Sequence, residues 1–87
     1  MRARSENPEW VQNLRGIIRE RVGPSFTVGE QAGKAKLTLR FQGGKRRVAT
    51  LPFDWEKAQS LAIEDAVKEI ARLIDNGKAF DESIGAI

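Results

Sequence analysis

Basic side chains are concentrated in one short part of this chain, and their types are those that bind polyanions. Residues 34–53 carry six lysines and arginines and no acidic residue, whereas residues 54–87 carry four basic and eight acidic residues. Arginine donates paired hydrogen bonds to phosphates or guanine acceptors, and glutamine and threonine can contact base edges. Lysine and arginine also discourage edge pairing between sheets, so the charge pattern alone leaves both interpretations open. The six are Lys34, Lys36, Arg40, Lys45, Arg46 and Arg47.

The composition removes several kinds of chemistry. The chain contains no histidine, cysteine or tyrosine, so the commonest general base, thiolate ligands, disulfides and a phenolic nucleophile are excluded. Glu64, Asp65 and Glu69 form an acidic group, but nothing else in the sequence converges on them, which favours a solvated helix face over a metal or acid/base site. We therefore expect a non-catalytic domain with no cofactor, metal or small-molecule substrate.

Length and hydropathy indicate one small domain without membrane segments. Eighty-seven residues suffice for a single core. No apolar run approaches the roughly 18 residues of a membrane span, and the polar opening MRARSENPEW lacks the apolar centre of a secretory signal. We expect a cytoplasmic protein without a membrane partner, associated with the nucleoid if it binds DNA.

The hydrophobic pattern predicts an α+β fold with the order α-β-β-β-α. Apolar residues at helical spacing predict helices over residues 8–22 and 55–76, and alternation predicts strands within residues 25–52. We expect a three-stranded antiparallel sheet packed on the long C-terminal helix, with an additional N-terminal helix. The tail, residues 77–87, would begin another element or form a docking tail.

Capping residues support these boundaries. Asn7 is a predicted N-cap with Pro8 at the first helical position, and Asp54 is a predicted N-cap for the second helix, after Pro52 has ended the last strand. Asn76-Gly77 is a predicted C-terminal stop. Trp10 and Trp55, which start the two helices in phase with their apolar stripes, are predicted core residues.

The basic segment is predicted to form a hairpin. Leu37, Leu39 and Phe41 alternate on one face, and Gly43-Gly44 is predicted to be a two-residue loop. That loop places Arg40 opposite Arg47, where like charges repel and a polyanion would relieve the repulsion. Val48, Thr50 and Arg46 would lie on the apolar face. The open face would hold Lys36, Thr38, Arg40, Gln42, Lys45, Arg47, Ala49 and Leu51.

Residues 33–81 resemble the N-terminal arm-type DNA-binding domain of phage and prophage integrases, members of the tyrosine recombinase family. The features that carry this resemblance are a strand ending in an Arg-aromatic pair, a tight glycine turn, a basic strand and a long helix with an alanine-rich stripe. They are found at Arg40-Phe41, Gly43-Gly44, Lys45-Arg46-Arg47 and residues 55–76, with Asn76-Gly77 and Phe80-Asp81 similar to the passage into a core-binding domain.

The resemblance implies a partner and a mechanism. In that family a three-stranded sheet lies in the major groove and holds the integrase on arm sites, while other domains carry out DNA recombination and integration. The family's catalytic tyrosine and histidine have no counterpart here. The implied partners are double-stranded DNA and other domains or protomers of an integrase. In the predicted set, the residues that would bind mainly phosphates are Lys36, Lys45 and Arg46, and those that would lie closer to base edges are Thr38, Arg40, Gln42 and Arg47.

Two alternatives remain open from the sequence. The element order is also that of double-stranded RNA-binding domains, but these use a basic cluster at the start of the last helix. Here that position reads Asp54-Trp55-Glu56-Lys57, which is close to neutral, so duplex RNA ranks second. The other alternative is a protein-interaction module that docks a partner through an open strand edge or the tail, residues 80–87.

Overall fold

The computed structural model describes residues 8–87, apart from the side chain of Gln42. It confirms the α+β class and the predicted order, with a short helix added at the end. The elements are α1 (Glu9–Arg21), β1 (Phe26–Gln31), β2 (Lys34–Arg40), β3 (Arg46–Asp54), α2 (Ser60–Asp75) and α3 (Phe80–Gly85), with 3-10 turns at Gln42–Gly44 and Lys57–Gln59.

Helix α1 begins one residue later than predicted. Pro8 precedes the helix instead of occupying its first position, and its carbonyl accepts hydrogen bonds from the amides of Val11 and Gln12 at 3.0 and 3.2 Å. Asn7, the predicted N-cap, lies outside the described residues. The amide of Gly23, at a φ of 140°, donates to the carbonyl of Ile18 at 2.9 Å, and the helix ends at Arg21, within one residue of the predicted end at residue 22.

The sheet is antiparallel with strand order β1-β2-β3. Strands β1 and β2 are joined by Ala32-Gly33, which have φ values of 53° and 83° and close the pair Gln31 and Lys34. Positive φ at both central residues is the geometry of a tight two-residue hairpin loop. This turn therefore fixes β1 and β2 in a single register.

The loop between β2 and β3 contains three residues, so the predicted two-residue loop is wrong. Gln42–Gly44 form the loop, and the amide of Phe41 closes it by donating to the carbonyl of Lys45 at 2.7 Å. Arg40 consequently pairs with Arg46, and Leu39 pairs with Arg47. Because side chains alternate along a strand, this shift by one residue exchanges the two faces of β3.

The exchange corrects several predicted positions. Leu51, expected on the open face, is buried, and Ala49 packs against the core. Val48 and Thr50, expected on the apolar face, are exposed on the other side of the sheet. Phe41, also expected to pack, is 42% exposed at the end of β2.

Helix α2 begins at Ser60, five residues later than predicted, because β3 continues through a bulge as far as Asp54. Lys34 pairs with Asp54 and Lys36 with Thr50, so β3 has two more residues than β2 across this interval. Pro52 lies inside this irregular part of an edge strand, where a missing amide is tolerated, instead of ending the strand. Asp54 does not cap a helix: it forms an ion pair with the Nζ of Lys34 at 2.7 Å.

Both long helices pack on the same face of the sheet. The buried core combines α1, alternate residues of the three strands, α2 and Phe80 of α3. The indole rings of Trp10 and Trp55 lie 5.0 Å apart and pack against this core, as predicted for both residues. The Nε of Arg15 also donates to the carbonyl of Val28 at 2.9 Å, which joins α1 to the edge strand β1.

The tail folds back onto the domain. The stop predicted at Asn76-Gly77 is confirmed, since Gly77 has a φ of 94° and the amide of Lys78 donates to the carbonyl of Leu73 at 3.0 Å. In α3, Phe80 and Ser83 are buried, and Ser83 Oγ donates to the carbonyl of Ala79 at 2.9 Å. Within residues 8–87, no helix has the length and apolarity needed to cross a membrane.

Candidate nucleic-acid interface

The face of the sheet opposite the helices carries most of the predicted site. We define the open face by three rows of directly paired residues that run across the strands. Rows lie two residues apart along each strand, about 7 Å, and neighbouring strands lie about 4.8 Å apart. The rows are Arg40 with Arg46; Thr27, Thr38 and Val48; and Gly29, Lys36 and Thr50.

Alternation in β2 explains how this face is held in place. Leu37 and Leu39 are buried against the helices, so the side chains between them project from the other side. Lys36 and Thr38 are partly buried by their neighbours in the sheet, and Arg40 is exposed at the strand end. The same packing that forms the core therefore orients Lys36, Thr38 and Arg40 towards solvent.

The open face is positively charged and uncompensated. Among residues 8–87, Lys36, Arg40, Arg46 and the adjacent Lys45 make no side-chain hydrogen bond or ion pair, and none of the three rows contains an acidic residue. Some other cations of the domain form ion pairs, for example Lys68 with Glu64 at 2.6 Å. The field of the four cations therefore acts on the solvent in front of the sheet.

Arg40 and Arg46 oppose each other directly across β2 and β3. The sequence predicted the same kind of like-charge pair but assigned Arg47 as the partner, which the three-residue loop corrects. Like charges at opposed positions destabilise a sheet. An anion bound between the two guanidinium groups would remove this repulsion.

Arg47 lies on the face covered by helices, so its predicted place on the open face is wrong. Its Nη2 lies 2.7 Å from Oδ1 of Asp81, and its guanidinium lies 5.4 Å from the ring centroid of Phe80. Both partners belong to α3. Arg47 therefore links β3 to α3 through an ion pair and a cation–π contact.

The structure brings together Lys36, Thr38, Arg40 and Arg46 from the predicted set. Gln42 lies in the hairpin loop at the arginine end of the open face, and its side chain lies outside the described part. Lys45 follows the loop and is exposed.

Sequence reasoning missed Thr27, Val48 and Thr50 as members of the open face. A signal for the β3 residues was present, because Ala49, Leu51 and Phe53 alternate as three apolar residues with a period of two. That pattern places these three on the covered face. Val48 and Thr50 then necessarily point the other way.

Two members of the acidic group, which lies on α2, interact with cations of the same helix. Glu64 pairs with Lys68, and Glu69 accepts two hydrogen bonds from Arg72. The hydrogen bond from Arg72 holds the pKa of the Glu69 carboxyl below its ordinary value. In the described part of the chain, no three acidic side chains converge as they would to hold a metal ion.

Comparisons with protein-family models, with curated proteins and with solved structures find no match to this chain. The function is therefore argued from the geometry and charge of the open face.

Proposed function

We propose that this chain binds double-stranded DNA by placing the open face of its sheet in the major groove. It would act as the non-catalytic arm-site module of a phage-type integrase of the tyrosine recombinase family. The observation that carries the proposal is a group of four cations that have no partner among residues 8–87, on and beside the sheet face opposite the helices.

The chemistry of the face suits duplex DNA. The major groove, about 12 Å wide, admits β-structure, and a protein cation that neutralises a phosphate releases a condensed counterion. Lys36 and Lys45 act as flexible point charges for phosphates, whereas the planar guanidinium groups of Arg40 and Arg46 can also bind guanine acceptors in the groove. Binding would in addition relieve the repulsion between Arg40 and Arg46.

The alternatives have less support. The segment before α2 offers Lys57 as a cation beside the acidic Asp54 and Glu56, and the major groove of duplex RNA is too deep and narrow for side chains to read. A docking role for the tail is disfavoured because Phe80 is already buried in the core of its own domain.

The proposal is tested by measuring affinity for a 20-base-pair DNA duplex as a function of salt. Four phosphate contacts give a log-log slope of about −3.6, and Arg40→Ala reduces its magnitude by about 1. Lys78→Ala removes an exposed cation near α3 whose side chain has no partner in the described part of the chain, and is the matched control, with no change of slope expected. An RNA duplex of the same sequence should bind more weakly.

Two outcomes would contradict the proposal. One is the absence of DNA binding at low salt. The other is an equal loss of slope for Arg40→Ala and Lys78→Ala, which would indicate a diffuse response to net charge with no contribution specific to the sheet face.

A further inference from the structure

The centre of the open face is a row of three β-branched side chains, each of which carries at least one methyl group. We call Thr27, Thr38 and Val48 the methyl row. Thr27 pairs with Thr38, and Thr38 pairs with Val48, so one β-branched residue from each strand lies in a continuous line across the sheet. Val48 is the wholly apolar member, and half of its surface is exposed. This row was not apparent from the sequence, because the predicted register placed Val48 on the opposite face.

Val48 contributes little to the domain's own packing. It belongs neither to the buried core nor to the partly buried residues that pack against it. β-Branched residues favour strands, which accounts for a valine in β3 but not for its place among cations. What distinguishes Val48 is therefore its surroundings on the open face.

Cations lie on both sides of the methyl row. The row of Arg40 and Arg46 is about 7 Å away along the strands on one side, and Lys36 is about 7 Å away on the other. A polyanion held by both cationic rows must cover the row between them. Whatever part of the ligand meets Val48 is therefore desolvated against an apolar side chain.

The geometry points to Val48, supported by Thr38, as a reader of the 5-methyl group of thymine. This inference depends on the proposed binding of DNA and adds a specificity to it. Among the groups that base pairs expose in the major groove, the 5-methyl group of thymine is the apolar one. Valine, unlike arginine or glutamine, has no polar group with which to contact the other base edges. The domain should prefer duplexes that place thymine against the methyl row.

Uracil substitution isolates this contact, because uracil lacks only the 5-methyl group of thymine. The probes are two 20-base-pair duplexes, one of alternating adenine and thymine and one of alternating adenine and uracil, both with deoxyribose backbones. Burial of one methyl group corresponds to about fourfold in affinity, so the thymine duplex should bind about fourfold more tightly. Affinities are measured at one low salt concentration for all proteins.

Two variants assign the effect to a residue. Val48→Ala should lower the ratio of the two affinities from about four towards one, because alanine reaches less far and only the support of Thr38 is retained, while its affinity for the uracil duplex changes little. Leu61→Ala is the matched control, since Leu61 is a 64% exposed apolar residue on α2 and its loss should leave the ratio at about four. Both sites are exposed, so both variants should unfold at nearly the temperature of the parent.

The outcomes separate this inference from the proposed function. A wild-type ratio near one, with both duplexes bound, overturns the thymine contact and leaves DNA binding intact. A ratio of about four that persists in Val48→Ala overturns the assignment to Val48. Failure to bind either duplex overturns the DNA-binding proposal and the inference together.

Discussion

The two faces of the same sheet differ in almost every physical property. Strand β2 contributes Leu37 and Leu39 to the covered face, where both are buried, and Lys36 and Arg40 to the open face, where their side chains have no partner within residues 8–87. The covered face is made of apolar contacts that determine the fold. The open face is made of groups whose interactions are incomplete in the isolated domain, which is the property expected of a binding surface.

Arg46 and Arg47 show the difference within one dipeptide. They are consecutive and chemically identical, yet Arg46 faces solvent beside Arg40, and Arg47 is committed to Asp81 and Phe80 of α3. Residue type therefore does not distinguish an arginine that faces solvent on the open face from one that contacts another element of the domain. Strand register does.

The largest difference between the two faces should appear when the effects of alanine substitutions on the free energy of unfolding are compared. Leu37→Ala removes a fully buried side chain and should lower the free energy of unfolding by about 2–5 kcal/mol. Thr38→Ala, one residue away on the open face, should change it by less than about 0.5 kcal/mol. Urea unfolding followed by far-UV circular dichroism measures both, and similar losses for the two variants would contradict the assignment of faces.

The second contrast concerns DNA affinity. Loss of one phosphate contact at 50 mM salt weakens binding about tenfold, and this is the effect expected of Arg46→Gln. Arg47→Gln should change affinity by less than about twofold, because its guanidinium is on the other face. Electrophoretic mobility shifts with a 20-base-pair duplex measure the two affinities. A larger effect for Arg47→Gln would favour the two-residue loop and the register predicted from sequence.

Much of this arrangement is predictable from sequence, because hydrophobic periodicity reports which residues are buried. Leu37 and Leu39 identified the covered face of β2, and Asn76-Gly77 identified the end of α2. The register of β3 was not predictable from the loop, since two consecutive glycines accept positive φ whether or not Gln42 joins them. Open-face assignments in β2 therefore held, whereas those in β3 were reversed.

Loss of the ion pair between α3 and β3 should lower the free energy of unfolding by less than loss of a buried leucine. Asp81→Asn removes the ion pair with Arg47, whose side chains are both at least half exposed, so the free energy of unfolding should fall by less than about 1 kcal/mol. Amide hydrogen exchange should nevertheless accelerate in Phe80–Gly85. Asp65→Asn, an exposed and unpaired site on α2, is the control. Unchanged exchange in Asp81→Asn would show that the packing of α3 against the core holds the helix without the ion pair.

The smallest effect concerns the pH dependence of stability and arises on helix α2, outside both faces of the sheet. The pKa of Glu69 is lowered by the hydrogen bond from Arg72, so this pair stabilises the domain above the unfolded-state pKa of the carboxyl, and the contribution is lost as pH falls through the folded-state pKa. In Arg72→Gln, a carboxyl-detected NMR titration should find the pKa of Glu69 returned to its ordinary range. No change between the two proteins would contradict the hydrogen bond.

The contact between Trp10 and Trp55 gives the domain a built-in optical reporter. These are the only two tryptophans in a chain that has no tyrosine, so excitation near 295 nm addresses this one pair of rings, 5.0 Å apart. Emission should therefore change when α1 separates from the segment after β3. A ligand bound on the open face would leave the two indole rings undisturbed. Tryptophan emission would therefore report unfolding only, and binding can be followed in the same sample through an independent signal.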